Sequence, residues 1–358
     1  MTDTITSPLD ILRGSFDAQD LDRLVIKERI KSRFLTTSRF LRLEAALKAA
    51  SENLLLRLDD TKPLGPGNRS EGRIVLLVGE TGAGKSSTLH RLLDRHPAYR
   101  GYADPDKPNR AAISLKIKAP CTFVAMGRQT LAATGYPITG KLEKHAVWQR
   151  VFDRLPLLGT TLLHFDEMPN VILTANEPDR VDIQNTLKSL VTDANWPVTV
   201  IVSGLPLTTA FIEQAVEDKR RTIPVAFEPL VTPGDCEMLT ALARDLVAIA
   251  HLTLAPRPQT TIMPRLIHAA SYQLGSAIML LQHAVDQALI ERTTDLGIAE
   301  FAAAYAILSG CGPAANPFLA PDWRAIDCSR LFASDTLPRP SDETLPIPKP
   351  HKPRRAYK

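Results

Sequence analysis

The chain has 358 residues, of which 44% are hydrophobic and 23% are charged. This composition is typical of globular proteins and excludes disorder along the whole chain, and the length allows about two domains. The formal net charge of +4 is small, so by itself it is weak evidence for a nucleic-acid partner.

Targeting and metal-binding patterns are missing from the sequence. The N-terminus lacks a basic segment followed by an apolar run, and the longest apolar stretches have the length of strands. We therefore expect no signal peptide, no membrane partner and a cytoplasmic location. The cysteines lie far apart without zinc spacing and are predicted to be reduced thiols; they are Cys121, Cys236, Cys311 and Cys328.

Residues 1–71 are predicted to form a basic N-terminal arm followed by helices. Apolar positions recur at helical spacing, with Leu43, Leu47, Leu54 and Leu58 on one predicted stripe. A cluster of Pro, Gly and Asn, "TKPLGPGNRSEG", then separates these helices from the next unit.

Residues 72–229 alternate between strand and helix patterns. Four strands are predicted from the segments "RIVLLVG", "AAISLKI", "TTLLHFDE" and "PVTVIVSG". Helical segments separate them, which is typical of crossover connections and a parallel sheet covered on both faces. The prediction is an α/β domain with a doubly wound parallel sheet.

The rest of the chain is predicted to contain two further parts. Residues 230–312 contain helical patterns, beginning with the capping signature "TPGDCE", and are predicted to form a small helical lid. Residues 313–358 are predicted to be a C-terminal extension whose Pro-rich, basic tail, from Leu337, is extended and disordered alone.

The segment "GETGAGKS" fits the phosphate-binding pattern G-x-x-x-x-G-K-[ST] between a predicted strand and a predicted helix. Its glycines allow backbone amides to surround a phosphate at a helix N-terminus. Lys85 is expected to contact the β- and γ-phosphates, and the Ser86 hydroxyl is expected to bind Mg²⁺. The predicted nucleotide-binding residues are Gly79, Glu80, Thr81, Gly82, Ala83, Gly84, Lys85, Ser86, Ser87 and Asp166.

The third predicted strand ends in two carboxylates. Asp166 is expected to act on Mg²⁺, and Glu167 is the predicted base that activates the attacking water. A solvated acidic pair at a strand end is the alternative. His164, within the strand, is predicted to be a packed core residue.

Three further residues are predicted to complete the catalytic set. Ser203 ends the fourth strand, where it would contact the γ-phosphate or the attacking water; an ordinary strand-end turn is the alternative. Arg220 and Arg221 precede a strand-like segment, and one of them would reach the γ-phosphate of a neighbouring subunit. A solvated basic pair is the alternative for the arginines.

The order of these motifs resembles the TniB/TnsC-like AAA+ ATPases that regulate DNA transposition. The resemblance extends from about Arg33 to Trp323, and "DEMPN", "SGLP" and "FEPL" are its most specific parts. It implies a P-loop AAA+ domain that assembles as a ring or filament on double-stranded DNA with ATP. It further implies recruitment of a transposase, cooperation with a target-selector protein, and disassembly on hydrolysis. By position, Ser203 would be sensor 1.

In the resembled family, the region between the two nucleotide motifs contacts the DNA backbone. Here that region contains Lys116, Lys118, Lys141 and Lys144. Because phosphate contacts are sequence-independent and salt-sensitive, binding without sequence preference is expected; solvated surface lysines are the alternative.

The lid departs from the AAA+ pattern. "QLGSAIMLL" has no arginine where many relatives carry sensor 2, so weak or partner-dependent hydrolysis is expected. Two other functions stay open. One is a helicase loader or replication initiator, and the other is an ATP-dependent oligomeric switch or scaffold that does not bind DNA.

Overall fold

The computed structural model describes residues 7–104, 110–138, 140, 143–215 and 219–329. Five of the described strands form one parallel sheet in the order β2-β3-β4-β1-β5. Their bounds are β1 Ile74–Val78, β2 Ala112–Lys116, β3 Leu162–Asp166, β4 Thr199–Gly204 and β5 Thr222–Ala226. Two short strands, β6 Thr253–Leu254 and β7 Asp295–Leu296, pair separately.

Helices precede, connect and follow these strands. The described α-helices are α1 Pro8–Gly14, α2 Ala18–Ser32, α3 Ser38–Leu54, α4 Lys85–Arg95, α5 Phe123–Ala133, α6 Lys144–Leu158, α7 Pro169–Thr174, α8 Glu177–Thr192, α9 Leu207–Ala215, α10 Cys236–Ala250, α11 Pro258–Thr261, α12 Met263–Ala269, α13 Leu274–Glu291 and α14 Ile298–Ser309. Three short 3-10 turns lie at Lys219–Arg221, Pro313–Ala315 and Trp323–Ala325. The helices between parallel strands form the crossovers that such strands require.

Both faces of the main sheet are covered by helices. On one face, α5, α6 and α8 contribute Met126, Trp148 and Leu187 to a core that includes Phe165 and Val202. On the other face, α3 and α4 pack against the alternate side chains of the same strands. The sheet is therefore buried on both sides, as its continuous apolar strands predict.

Helix α3 is part of the sheet domain, although it lies before the predicted boundary at residue 71. Phe40, Leu43 and Leu47 are almost fully buried and belong to one cluster with Val75 and Leu77 of β1. Helix α2 packs instead against the later helices α10 and α13. The N-terminal helices therefore contact both the sheet and the lid.

Basic residues of the N-terminal arm form ion pairs and hydrogen bonds with later parts of the chain. Lys27 forms an ion pair with Asp286 of α13. Arg39 is buried and donates hydrogen bonds to the carbonyl oxygen of Glu228 at 3.2 and 2.7 Å. Burial lowers the pKa of Arg39 below its ordinary value. These cations attach the arm to the rest of the fold.

The helices from α10 to α14 surround a separate apolar core. The segment after α14 packs on it: Phe318 stacks on Phe301 with ring centroids 5.4 Å apart, and Arg265 donates to the carbonyl of Ala320 at 2.9 Å. Within the described ranges, none of the helices is both long and apolar enough to span a bilayer. Residues beyond 329, including the basic tail, lie outside the described part.

The register of the sheet brings polar residues to one edge. Lys116 lies opposite Asp166, and Leu77 lies opposite Ser203, so the carboxyl ends of β1 to β4 meet. In parallel α/β sheets, ligands bind at this edge, where the strand order reverses. The predicted fold class, a P-loop α/β domain with a doubly wound sheet and a helical lid, is confirmed.

Candidate functional site

The loop between β1 and α4 has the geometry of a phosphate-binding loop. Gly82 and Gly84 have φ values of 80° and 90°, a conformation that favours glycine. Helix α4 begins directly after Gly84, and no side chain caps its N-terminus. The first backbone amides of α4 are therefore available to an anion. Around the loop, Glu80, Thr81 and Ser87 are exposed, whereas Gly79 and Ala83 are buried.

Lys85 folds back over this loop. Its Nζ donates to the carbonyl oxygens of Gly79 at 2.7 Å and Glu80 at 3.0 Å. Burial lowers the pKa of Lys85, while the nearby Asp166 and Glu167 carboxylates act in the opposite direction. The ammonium group thus lies at the loop, where phosphate oxygens would replace two carbonyl oxygens as its acceptors.

Asp166 joins the loop to the third strand. Its Oδ2 accepts a hydrogen bond from the Ser86 hydroxyl at 2.8 Å, and its Oδ1 accepts from Ser203 and from the backbone N–H of Glu167. Burial alone would raise the pKa of Asp166, but the hydrogen bond from Ser203, the nearby His164 and the hydrogen bonds from Ser86 and Glu167 together lower it. Asp166 therefore carries a carboxylate directly beside the Ser86 hydroxyl.

These groups fit a nucleotide with Mg²⁺. The oxygen atoms of Ser86 and Asp166 are the hard ligands that Mg²⁺ prefers, and they lie 2.8 Å apart. A Cβ at Gly79 would lie 2.9 Å from Phe227 and one at Gly82 would lie 2.1 Å from Ser276, so the loop needs glycine at these positions. The residues present are thus suitable for a triphosphate and its cation.

Glu167 lies at the edge of the site with an unusual backbone. Its φ is 60°, in the left-handed region that residues with a Cβ rarely adopt. Its carboxylate is 44% exposed and lies 3.4 Å from the Nζ of Lys116. A predicted catalytic base and a predicted DNA contact are therefore in direct contact.

Ser203 is fully buried and lies between two other polar side chains. It donates to Asp166, and its Oγ also lies 2.8 Å from Nε2 of His164. The other ring nitrogen of His164, Nδ1, lies 2.8 Å from the Ser114 hydroxyl. His164 is buried, as predicted for a core residue, but it also connects strands β2, β3 and β4 by hydrogen bonds. Sequence reasoning missed this connection.

The two arginines lie at the opposite edge of the sheet. They precede Thr222, which lies opposite Ile74 at the beginning of β1, whereas the phosphate loop follows the end of β1. Strand β1 has five residues, so roughly 16 Å separates the two edges. Arg221 forms two hydrogen bonds with Glu71, at 2.7 and 3.2 Å, and Arg220 is exposed. Neither is brought to the phosphate loop of its own chain.

The predicted DNA-contacting lysines have different surroundings. Lys116 and Lys118 are exposed near the carboxyl edge of β2. Lys144 forms ion pairs with Asp182 and, at 3.8 Å, with Asp179. These carboxylates partly neutralise its charge. Lys141 lies outside the described residues.

The lid contacts the phosphate loop directly. The backbone N–H of Ser276 donates to the carbonyl of Gly82 at 3.0 Å, and a Cβ on Gly275 would lie 2.6 Å from that oxygen. The Ser276 hydroxyl is buried and has no hydrogen-bond partner. The lid therefore contacts the phosphate loop through the segment "QLGSAIMLL", which contains no arginine at the sensor 2 position.

A cavity of about 620 Å³ lies between the phosphate loop, α13 and the segment before α3. Beyond the loop its lining includes apolar side chains, from Phe34, Leu35, Ile278 and Met279, together with the Gln282 amide and the basic Lys31 and Arg33. Polar groups of the loop at one end and apolar side chains at the other match the two parts of a nucleotide, phosphates and base.

A profile of a protein family, described as the bacterial TniB protein, matches residues 38–226. The matched segment covers more than half of the chain. The chain belongs to the TniB family. The resemblance noted from the sequence motifs is confirmed. No curated protein is similar enough in sequence to this TniB family member to count as a relative.

Solved structures share its fold at low sequence identity. The Orc1 protein of Aeropyrum pernix, solved in complex with DNA, is 16% identical and has a TM-score of 0.53, over 80% of this chain and 69% of that one. Cdc6p of Pyrobaculum aerophilum is 14% identical with a TM-score of 0.52, over 77% and 69%. At these identities the likeness shows the AAA+ fold alone.

The TniB match extends from the beginning of α3 to the end of β5. It contains both nucleotide motifs, Ser203 and the two arginines, and it includes the α3 helix that covers the sheet. The lid, from α10 onward, lies outside the matched segment. The contact between Ser276 and Gly82 therefore joins the family-defining domain to a part that the family profile does not describe.

Proposed function

We propose that this TniB family protein is an ATP-dependent regulator of DNA transposition. In its ATP state it assembles on target DNA and recruits the transposase, and hydrolysis of ATP disassembles it. The observation that carries the proposal is the grouping of Ser86, Asp166 and Glu167 beside the phosphate loop of a TniB family chain.

The nucleotide-binding part of the proposal uses the loop from Gly79 to Ser87. The amides at the beginning of α4 and the Lys85 ammonium would hold the phosphates of ATP, and Ser86 and Asp166 would hold Mg²⁺. Bound Mg²⁺ would supply charge neutralisation to the phosphate oxygens. The low pKa of Asp166 supports this role, because the carboxylate is ionised at neutral pH.

Glu167 is the proposed general base. Its carboxylate is exposed beside Asp166, and a water molecule beside it could lose a proton to it. Ser203 donates its hydroxyl proton to Asp166, and to contact the terminal phosphate it would exchange this partner when ATP binds. Lys85 would add positive charge to the phosphates as the bond to the terminal phosphate breaks.

The position of the arginines supports oligomerisation. Arg220 and Arg221 lie at the edge of the sheet opposite the phosphate loop, so within one chain they are far from the phosphates. In a ring or filament, one subunit's loop can face the next subunit's opposite edge. We propose that one of the two arginines completes the site of the neighbouring subunit.

The DNA-binding part of the proposal uses Lys116 and Lys118. Both are exposed, and Lys116 contacts Glu167 of the nucleotide site, so backbone phosphates of a duplex could reach them. Because phosphates are the same at every sequence, such contacts provide affinity without sequence preference. DNA that binds Lys116 would also separate it from Glu167, which would link DNA binding to hydrolysis.

We further propose a transposase and a target-selector protein as partners, which the resemblance to transposition ATPases supports, and the cytoplasm as location. A helicase loader or replication initiator is the alternative that shares the nucleotide residues. An ATP-dependent switch or scaffold that does not bind DNA is the other alternative.

Electron microscopy of the purified full chain with duplex DNA tests the proposal. Samples would contain ATP, ADP or a slowly hydrolysed ATP analogue, and each would be repeated with Lys116→Glu/Lys118→Glu. We expect rings or filaments on DNA with the triphosphates, none with ADP, and loss of the DNA-bound form in the double variant. Lys48→Glu/Lys62→Glu, which changes two other exposed lysines, is the charge-matched control.

The outcomes separate the three functions. Triphosphate-dependent assembly on DNA that captures a transposase supports the transposition regulator. Assembly on DNA that captures a replicative helicase and no transposase supports the loader. Triphosphate-dependent assembly that ignores DNA and the lysine changes supports the switch or scaffold.

A further inference from the structure

His164 occupies the centre of a buried chain of hydrogen bonds that ends at the nucleotide site. The Ser114 hydroxyl lies 2.8 Å from His164 Nδ1, His164 Nε2 lies 2.8 Å from Ser203 Oγ, and Ser203 donates to Asp166. These residues come from β2, β3 and β4, so the chain crosses three adjacent strands. His164 and Ser203 are fully buried, which excludes water as a competing partner.

The direction of each hydrogen bond follows from counting protons. Ser203 has one hydroxyl proton, and an ionised Asp166 can only accept, so that proton lies between Ser203 Oγ and Asp166 Oδ1. Ser203 Oγ must therefore accept from His164, which places a proton on Nε2. The neutral ring then has a bare Nδ1, and that atom accepts the Ser114 proton.

This arrangement has a consequence for Ser203. Because the lone pairs of its oxygen receive the His164 N–H, its own proton is directed at Oδ1 of Asp166. The other oxygen of that carboxylate, Oδ2, accepts a hydrogen bond from Ser86 at the phosphate loop. Without the His164 N–H, the buried Ser203 oxygen would lack a donor, and its hydrogen bond to Asp166 would be less fixed in direction.

We propose that His164 is a positioning residue that holds Ser203 as a hydrogen-bond donor to Asp166, and so fixes the carboxylate that would bind Mg²⁺ at the nucleotide site. Ser114 fixes the tautomer of His164 from the other side. The inference rests on the proposed ATP hydrolysis, and it adds two residues, His164 and Ser114, to that site. Neither would touch the nucleotide, since both act through Ser203.

A conservative pair of variants tests this role. In His164→Gln an amide N–H reaches the place of Nε2, whereas in His164→Asn the shorter amide reaches the place of Nδ1. Groups that orient a site residue from behind typically contribute about 10- to 100-fold to activity. We expect His164→Asn to lower kcat for ATP by about that factor, with the Kd for ADP nearly unchanged, and His164→Gln to recover much of the loss.

A double-mutant cycle separates positioning from general stability. Ser203→Ala removes the group that His164 orients, so adding His164→Asn to it should cost little further activity. Thr130→Val removes another fully buried hydroxyl, bonded to the carbonyl of Met126, and is the matched control expected to keep kcat. Independent, multiplying losses from Ser203→Ala and His164→Asn would overturn the proposal, as would equal losses in the Gln and Asn variants.

A second measurement does not depend on hydrolysis. Long-range ¹H–¹⁵N NMR of the full chain, with ¹⁵N-labelled histidine and His164→Gln for assignment, reports which ring nitrogen carries the proton. We expect a protonated Nε2 in the wild type and a loss of this preference in Ser203→Ala, which removes the acceptor of that proton. A proton on Nδ1 in the wild type would overturn the proposal even if ATP is hydrolysed. Absence of hydrolysis together with the expected tautomer would instead count against the proposed function.

Discussion

The Nζ of Lys116 lies 3.4 Å from the Oε1 of Glu167, where strands β2 and β3 end side by side. Both side chains are exposed, at 71% and 44%, so water competes for each of them. Exposed ion pairs of this kind are weak and are readily exchanged for other partners. A phosphate of DNA could therefore take Lys116 from Glu167 at little cost.

Lys116→Ala should raise the ATPase rate measured without DNA. In the wild type the ammonium holds the Glu167 carboxylate and competes with water for it. Its loss should raise the basal rate by about two- to fivefold, which corresponds to the ~1 kcal/mol or less of an exposed ion pair. The measurement is steady-state phosphate release with and without duplex DNA, and the stimulation by DNA should fall.

Lys118→Ala is the control for that variant. Lys118 is also exposed and lies two residues after Lys116 in the sequence. Its backbone N–H donates a hydrogen bond to the Gln129 side chain at 2.9 Å. This variant should weaken DNA binding at moderate salt without raising the basal rate. Equal basal rates in the two variants would remove Lys116 as a restraint on Glu167.

Glu167→Gln should bind ATP but hydrolyse it very slowly. The amide keeps the size of the side chain and cannot accept the proton of water, so kcat should fall by about 10²- to 10⁴-fold. ATP-dependent assemblies on DNA should then persist, as measured by their lifetime after dilution. Lys85→Ala, which removes the charge that holds the phosphates, should lose nucleotide binding and assembly together. Normal turnover in Glu167→Gln would exclude this residue as the base.

The fold could be read from the sequence because its strands have strong local patterns. The apolar runs that end at Val78, Asp166 and Gly204 lie between helical segments, and parallel strands bring their carboxyl ends to one edge. The P-loop pattern then placed Ser86 beside Asp166 without any knowledge of tertiary contacts. Local rules were therefore sufficient for the phosphate end of the site.

Contacts between distant segments could not be read in the same way. The sequence gives no sign that α3 packs on the sheet, because an amphipathic helix does not specify its partner. Arg221 and Glu71, which form hydrogen bonds, lie 150 positions apart in the sequence, and the hydrogen-bonded His164 and Ser114 lie 50 positions apart. A histidine within an apolar strand predicts burial, but the hydroxyl groups that surround it depend on strand order and register.

Gly275→Ala should weaken nucleotide binding by pushing the lid away from the phosphate loop. Its Cβ would lie 2.6 Å from the carbonyl oxygen of Gly82 and 3.0 Å from the backbone nitrogen of Gly84. Both are backbone atoms, which cannot move aside as a flexible side chain can, and such overpacking costs about 1–3 kcal/mol. Titration with a fluorescent ADP should show a Kd higher by about five- to 160-fold, the equivalent of that cost.

Gly312→Ala is the control, because a Cβ there meets no atom within 4 Å. Alanine also favours helices more than glycine does, so the change at position 275 should not weaken α13 itself. An unchanged Kd in Gly275→Ala would mean that the lid separates from the loop when the nucleotide binds.

A mixture of two inactive variants should recover ATPase activity if a neighbouring subunit completes the site. Arg220→Ala/Arg221→Ala keeps its own loop and Glu167, whereas Glu167→Gln keeps both arginines. In a mixed assembly, each variant should supply what the other lacks, so phosphate release should exceed that of either variant alone. Activity that stays at the level of the separate variants would argue against completion by a neighbour.

Glu71→Ala distinguishes the two roles open to Arg221. The Arg221–Glu71 pair, with two hydrogen bonds at 2.7 and 3.2 Å, joins the beginning of β5 to the segment before β1. If Arg221 serves only as this connection, Glu71→Ala and Arg221→Ala should lower the Tm by similar amounts and should both retain ATP hydrolysis. Arg220→Ala should then be the variant that loses hydrolysis. If Arg221 acts on the neighbour's phosphate, Arg221→Ala should lose hydrolysis whereas Glu71→Ala retains it. Thermal unfolding and phosphate release, measured on the three single variants, decide between the two arginines.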